Sequence, residues 1–570
     1  MSASPAASHD PDARWLKPGV VAAVACLMNG LVLLLDVPLV DPSEGLHATI
    51  AQEMVERGDW ITPRLFGEPF RDKPILYFWA EALALATFGM RVAAFRLPGV
   101  LLAILGAAAT GLLARRLFDA RTGLIAAGFY ATMLLPTALA QAPVHDVALV
   151  PLVTLAILGF WDADHAGAWR RRLAIGCGVG LLLGLIALVK GLPGVAVVGV
   201  AYGLFVVAAR GPALMRLCLG RPTAADRGLP PLAPLVAVGV LSLVVGGLVA
   251  APWYLVQEAR DPGYLRYFFV ARHVGGFTTG GQSHDGRPWW YYLPMLLVGG
   301  MPAVAYLPAA AIEARSRGGF DRRILLLFSW LVGGTLFFSA ANSKLVTYVW
   351  PLFPPIAVLA AVVWGRLIAG TAAAAARSWS GWAIHAACLA GLPALPVAAI
   401  ALRRFAGVEV PGVAWAAILP AAAVSLVPLA LWRRGRPAAG VVAGGLAVAA
   451  QFVVLMTCLV APWLRAISPR DLAAAFNARG SLPPRLVFVA ERPYSFFFHL
   501  APALRRGFTP ERLVTCSPDE ARRFHDPRPG DVFVYPRSLA PAAEPAEKIG
   551  RWWLYAPKAV TTGPAAAALP

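Results

Sequence analysis

The chain is 570 residues long, 58% hydrophobic and only 14% charged, with a mean hydropathy of +0.64. An ordinary soluble domain carries about 25% charged residues, so the bilayer rather than water is the solvent for most of this chain. The net charge of +19 does not point to nucleic acid, because the arginines lie mostly in short clusters between apolar blocks, where they act first as topology signals. Six isolated cysteines (Cys26, Cys177, Cys218, Cys388, Cys458 and Cys516) show no CxxC or metal-ligand spacing and argue against a disulfide framework.

In chain order, residues 1–18 read as a polar cytoplasmic tail. The first apolar block, Val20 to Val40, lacks a small-residue cleavage site followed by a soluble domain and reads as a retained helix. Blocks of spanning length predict about thirteen helices, at 19–38, 92–114, 122–141, 144–161, 173–190, 191–209, 233–251, 289–311, 324–341, 345–365, 381–402, 411–432 and 438–460. The predicted fold class is therefore an all-α polytopic membrane protein, its transmembrane region covering 19–467. Alternate loops carry the arginines: Arg115, Arg116 and Arg121, then Arg170 to Arg172, then Arg210, Arg216, Arg221 and Arg227. Arg315, Arg317, Arg322 and Arg323 follow, then Arg366 and Arg377, and finally Arg433, Arg434 and Arg436. Positive loops stay inside, which places the N-terminus in the cytoplasm and the C-terminal part outside.

Two outside loops are long, at about 40–91 and 252–288. In the first, Leu46, Ile50 and Met54 recur every fourth residue with Glu53, Glu56 and Arg57 on another face, the pattern of an amphipathic helix at the membrane interface or packed on a loop. The second carries Trp253, Tyr254, Tyr264, Tyr267, Phe268, Phe269 and Trp289 to Tyr292, as membrane anchors or as a sugar- or prenyl-binding surface. From Ser468 to the end the texture changes to a small periplasmic α/β domain, 468–570, with strands at Leu486–Ala490 and Asp531–Tyr535 and helices at Asp471–Arg479 and Pro518–Arg523.

Ionisable residues near membrane helices cost roughly 2.5–3.5 kcal/mol each at a helix centre. Those here are Asp41, Glu44, Asp72, Lys73, Asp146, Lys190, His273 and Lys344, and all fall at or near the outside face of the predicted topology. Lysines can match a phosphate's charge, and carboxylates can orient or deprotonate an acceptor. A proton-coupled transporter gathers the same residue types, but near the midplane of its helices.

The segments Asp41 to Gly45, Gly58-Asp59-Trp60, Lys73-Pro74 and Arg96-Leu97-Pro98 resemble the first outside loop of the aminoarabinose transferases. That family consists of lipid-linked sugar transferases related to the protein O-mannosyltransferases. His145-Asp146, Lys190-Gly191, Pro252-Trp253-Tyr254, Arg272-His273, Ser343-Lys344-Leu345 and Tyr348 continue the resemblance in order. It implies a GT-C fold and inverting transfer of a sugar from a polyprenyl-phosphate donor, typically undecaprenyl-linked. The implied acceptor is lipid A or another envelope glycan, and the implied place the periplasmic face of the inner membrane, among its lipids. It implies Asp146 as a catalytic carboxylate, beside which Asp41 and Glu44 are this chain's own candidates, and Lys73, Lys190, Lys344 and Tyr348 around the donor phosphate. It also implies Asp72 and His273 as holders of a divalent metal, the one cofactor it brings into view.

One departure stands out. The family carries adjacent Asp and Glu followed by Arg and Tyr, where this chain has Ser43, Glu44, Leu46 and His47. Glu44 or the upstream Asp41 is left to supply the missing carboxylate, and the sugar, the acceptor and the oligomeric state stay unassigned.

Overall fold

The computed structural model describes residues 17–142, 144–219, 232–279, 286–406, 409–491, 493–506, 512–522, 530–541 and 543–555. Most of the expected tail, together with Arg221, Arg227 and Arg523, lies outside them. The chain forms two compact units. One comprises Met1–Leu34, Arg71–Tyr77 and Leu97–Leu459; the other comprises Leu35–Phe70, Phe78–Arg96 and Val460–Pro570.

Among the described residues ten helices are long and apolar enough to cross a membrane, or up to twelve if each of two bent pairs counts as one span. The thirteen expected segments fall on those ten, on the two bent pairs and on Pro18–Leu34, whose 17 residues stop short of the roughly 20 that a span needs. The bends have local causes. Ala120–Thr132 turns by 62° into Leu134–Ala140 because Met133 is extended, with ψ 139°. Tyr292–Gly299 turns by 94° into Ala303–Ser316 at Pro302, which has no N–H to continue the ladder. Ala233–Arg260 runs straight through Pro252 to Arg260, so Pro252-Trp253-Tyr254, expected in a loop, is helical.

Lipid gives helices no hydrophobic reason to associate, so close packing of small residues must do it. Trp169–Lys190 presents Gly176, Gly180 and Gly184 at four-residue spacing to Ala233–Arg260. A Cβ on Gly180 would lie 2.9 Å from the Ser242 carbonyl oxygen, and one on Gly184 would lie 2.9 Å from that of Gly246. Ser242 Oγ donates to the Gly176 carbonyl at 2.9 Å. This contact fixes the end of the first helix, where Lys190 sits, and the start of the segment that follows the second.

The helix Asp146–His165 carries charge at both ends. At its far end Asp162 pairs with Arg116 at 2.6 Å, and Asp164 pairs with Arg210 at 2.5 Å and Arg322 at 2.6 Å. The eighteen residue steps from Asp146 to Asp164 put these groups about 27 Å apart at about 1.5 Å per step. Several predicted topology arginines are therefore also ion-pair partners.

The second unit holds the helix Ser43–Arg57, a two-residue hairpin and a five-stranded sheet. In the hairpin, β1 (Arg64–Leu65) and β2 (Glu68–Pro69) pair across Phe66 and Gly67. The sheet is built from β3 (Leu486–Val489), β4 (Leu513–Cys516), β5 (Val532–Pro536), β6 (Glu547–Ile549) and β7 (Trp552–Tyr555), in the order β4-β3-β5-β7-β6. β3 runs parallel to both neighbours and is buried along its whole length, as a strand covered on both faces must be. Phe476, Phe488, Phe496, Trp552 and Leu554 pack one face, and Val487, Phe533, Tyr535 and Tyr555 the other. The two expected strands and two expected helices lie within a residue of β3, β5, Arg470–Arg479 and Pro518–Arg522. Strands β4, β6 and β7 were not anticipated.

The helix Ser43–Arg57 is not an interfacial one. It buries His47, Ala48, Ile50, Ala51, Gln52 and Met54 around most of its circumference and packs on the helix Tyr494–His499, with Thr49 Oγ1 donating to the Tyr494 carbonyl at 3.0 Å. Ser43, Glu56 and Arg57 remain exposed, a strip too narrow and polar to lie in lipid.

Candidate active site

In the first unit a cavity of about 300 Å³ opens among Asp72, Lys73, Lys190, Arg272, His273 and Tyr348 at its polar end. Leu192, Pro193, Ala196, Val274, Phe277, Phe337 and Phe338 form an apolar wall. Three of its residues therefore carry positive charge. Two of them are compensated. Lys190 is ion-paired with Asp146, the first residue of its helix, and its ammonium lies 4.1 Å from the centroid of the Tyr348 ring. Arg272 lies 3.4 Å from Asp72. Lys73 has no carboxylate within ion-pair distance among the described residues, and burial, with Lys190 and Arg272 adding to it against the pull of Asp146 and Asp72, brings its ammonium down to about 8.

The segment carrying Lys73 is tied to the chain beyond the helix Ala233–Arg260. Arg71 Nε donates to Asp261 at 2.6 Å, and the Tyr267 hydroxyl donates to Asp72 at 2.5 Å. His273 has Nδ1 against the carbonyl of Phe268 and Nε2 3.2 Å from the carbonyl of Lys190. Burial pushes this imidazole below its ordinary value, and the charges of Lys73 and Arg272 add to the effect. Gly191 makes the approach possible. Its φ of 80° and ψ of −146° suit glycine alone, and a Cβ there would lie 2.7 Å from His273 Nε2. Gly191→Ala is expected to cost about 1–3 kcal/mol in backbone strain and to push His273 off the Lys190 carbonyl. Thermal unfolding checks the first effect, and the chemical shifts of the His273 ring the second.

Asp72, Lys73, Asp146, Lys190, His273 and Tyr348 thus gather in one place. Lys344 does not join them. Its buried ammonium donates to the carbonyls of Ala341 and Arg287, and burial lowers its pKa. Arg272 and Tyr267 also belong to the site: the sequence marks Arg272 beside His273 and Tyr267 among the loop aromatics, without a role for either, and the structure sets both against Asp72. The aromatics of the second loop are mostly core. Trp253, Tyr254, Tyr264 and Phe268 are buried and stack on one another, with Tyr264 and Phe268 5.5 Å apart, while Trp289 and Trp290 are exposed. Phe277, Phe337 and Phe338 line the cavity instead.

Asp41 and Glu44 belong to the second unit. Glu44, 1% exposed, forms a two-point pair with Arg96 at 2.5 and 2.7 Å and accepts from the Val40 N–H at 2.7 Å. The other Arg96 donors go to the carbonyls of Val37 and Pro38. Both Glu44 oxygens are thereby spent on holding the start of this unit together. Removing one partner of a buried ion pair costs about 3–5 kcal/mol, so Glu44→Gln is expected to lower the unfolding temperature and steady-state amount of the protein, which thermal scans and expression levels report. Asp41 accepts from Ser495 N at 2.9 Å and from its hydroxyl, across the space left by Gly45, which has no Cβ. Burial raises the Asp41 carboxyl to about 7, with Glu44 and Glu491 adding to the rise against the Ser495 hydrogen bonds.

Residues 72–218, which include Lys73, Asp146 and Lys190, match the family described as dolichyl-phosphate-mannose-protein mannosyltransferase. An undecaprenyl phosphate-alpha-4-amino-4-deoxy-L-arabinose arabinosyl transferase of Aeromonas salmonicida is 32% identical over 336 residues, 57% of this chain and 56% of that protein. The transferase of the same name from Pseudomonas aeruginosa is 33% identical over 322 residues, 56% of this chain and 54% of that one. The chain spans about half the length of these relatives. The crystal structure of ArnT from Cupriavidus metallidurans bound to undecaprenyl phosphate superposes with a TM-score of 0.70 at 22% identity, covering 97% of this chain and all of that one. The chain has the ArnT-type GT-C fold. The GT-C fold accounts for a many-helix membrane region and a small sheet near the C-terminus in one chain.

Proposed function

We propose that the chain is an integral membrane glycosyltransferase that moves a sugar from a polyprenyl-phosphate donor to an envelope acceptor such as lipid A. The observation that carries this reading is a cavity with one cation, Lys73, that has no ion-pair partner among the described residues, beside two paired ones at its polar end and an apolar wall opposite. A polyprenyl phosphate has the same two-part chemistry, an anionic head on an apolar chain. Transfer breaks the bond between the anomeric carbon and the phosphate oxygen as the acceptor oxygen attacks that carbon. The electron pair leaves on the phosphate, where Lys73, with Lys190 and Arg272 beside it, balances the growing charge. The acceptor's proton departs to a carboxylate or to water, and Asp146 is the carboxylate of this unit assigned to orient the acceptor.

The same reading puts the chain in the bacterial inner membrane with the cavity on the periplasmic side. Its support is the arginine cluster at the opposite end of the helix Asp146–His165, since basic residues collect at the cytoplasmic boundary. The test is reconstitution of the full chain with envelope lipids and a panel of polyprenyl-phosphate sugars. Acceptor-dependent release of free polyprenyl phosphate is expected. A folded chain that releases none from any donor overturns the reading.

A further inference from the structure

We infer that this chain holds its anionic ligand by side-chain cations alone, with Asp72 a positioning residue for Arg272 and His273 one for Lys190, and with neither serving a divalent ion. The inference rests on the proposed donor site and deepens it.

Four observations converge. A metal bound to imidazole takes the lone pair of a ring nitrogen at about 2.0–2.1 Å, and both nitrogens of His273 already face backbone carbonyls. Nδ1 faces a carbonyl of its own helix, and Nε2 faces the backbone of Lys190 and Gly191, so close that a Cβ on Gly191 would fall 2.7 Å away. Asp72 accepts from the Tyr267 hydroxyl at 2.5 Å through one oxygen and faces the Arg272 guanidinium at 3.4 Å with the other. No group of three His, Cys, Asp or Glu side chains suited to a metal occurs among the described residues. Finally, the cations Lys73 and Arg272 line the same cavity as His273, so a doubly charged ion placed there would meet their repulsion.

The groups expected to ligate a metal do other work. Asp72 and Tyr267 hold the guanidinium at the rim of the cavity, where its planar fork can take two phosphate oxygens at once. His273 backs the carbonyl of Lys190 and fixes the turn at Gly191 from which the lysine enters the cavity. A positive field that a metal would supply from one point is supplied here by three side chains.

The test uses the full chain in lipid nanodiscs and undecaprenyl phosphate as the probe. Its affinity is measured after exhaustive chelation and again with zinc or magnesium restored, beside elemental analysis of the protein. Chelation is expected to change Kd by less than about twofold, and no stoichiometric metal should accompany the chain. Asp72→Asn is expected to weaken binding about tenfold, equally with and without added metal, and Asp72→Glu to recover most of it. Binding lost on chelation and restored by one of the metals overturns the inference while leaving the donor site standing. A folded chain that binds no probe under any condition overturns the donor site and the inference together.

Discussion

Lys73→Ala is expected to reduce sugar transfer by roughly 10²–10³-fold, the usual loss when one preorganised charge partner of a developing anion is removed. The effect should appear in donor affinity as well as in turnover, because Lys73 is the cation of the cavity with no ion-pair partner among the described residues. Its pH dependence separates this role from a structural one. Burial leaves the free ammonium titrating at about 8. A bound phosphate favours the protonated form and raises that value, so binding takes up a proton above pH 8. Affinity should be level below about pH 8 and fall above it, by up to about tenfold per unit. Lys73→Arg keeps its charge throughout and should remove the fall. A wild-type profile that is flat from pH 7 to 10 would contradict the assignment.

Asp146→Asn is the second substitution expected to act strongly, for a different reason. It leaves the Lys190 ammonium buried with a ring face for company and no opposing charge. Breaking a buried pair in this way costs about 3–5 kcal/mol, whereas replacing both partners by apolar groups is often neutral. The single variant should therefore lose both stability and transfer. The double variant Asp146→Asn with Lys190→Met should recover the unfolding temperature but not transfer. Recovery of both would reduce the pair to a structural bridge.

The sequence made legible where charges gather, and left open where their side chains point. Lys73, Asp146, Lys190 and His273 were found because costly residues clustered at one face of a predicted topology. Lys344 passed the same test and failed in space, since a lysine beside a helix end can donate to the cavity or to its own backbone with no change in pattern. The closure of His273 by Gly191 depends on a backbone conformation that spacing does not report. In the helix Ser43–Arg57 the period of four was real. Periodicity, however, cannot tell a lipid partner from a protein one, and here the partner is a helix more than four hundred residues away in sequence. Short strands such as β6, three residues with charge at two of them, carry too little pattern to find. The long apolar spans were easier, because one solvent acts on all of them.

The helix Asp146–His165 has twenty residues, about 30 Å of rise, which matches the hydrocarbon thickness of a bilayer at about 30 Å. With arginine-bound carboxylates at one end and the Lys190 pair at the other, it has the length of one full membrane crossing. In the orientation proposed above, Lys73, Lys190 and Arg272 stand near headgroup depth on the periplasmic side. The proposed lipid-borne donor would then reach them by lateral diffusion, its tail staying in the hydrocarbon and its charged head at the aqueous edge.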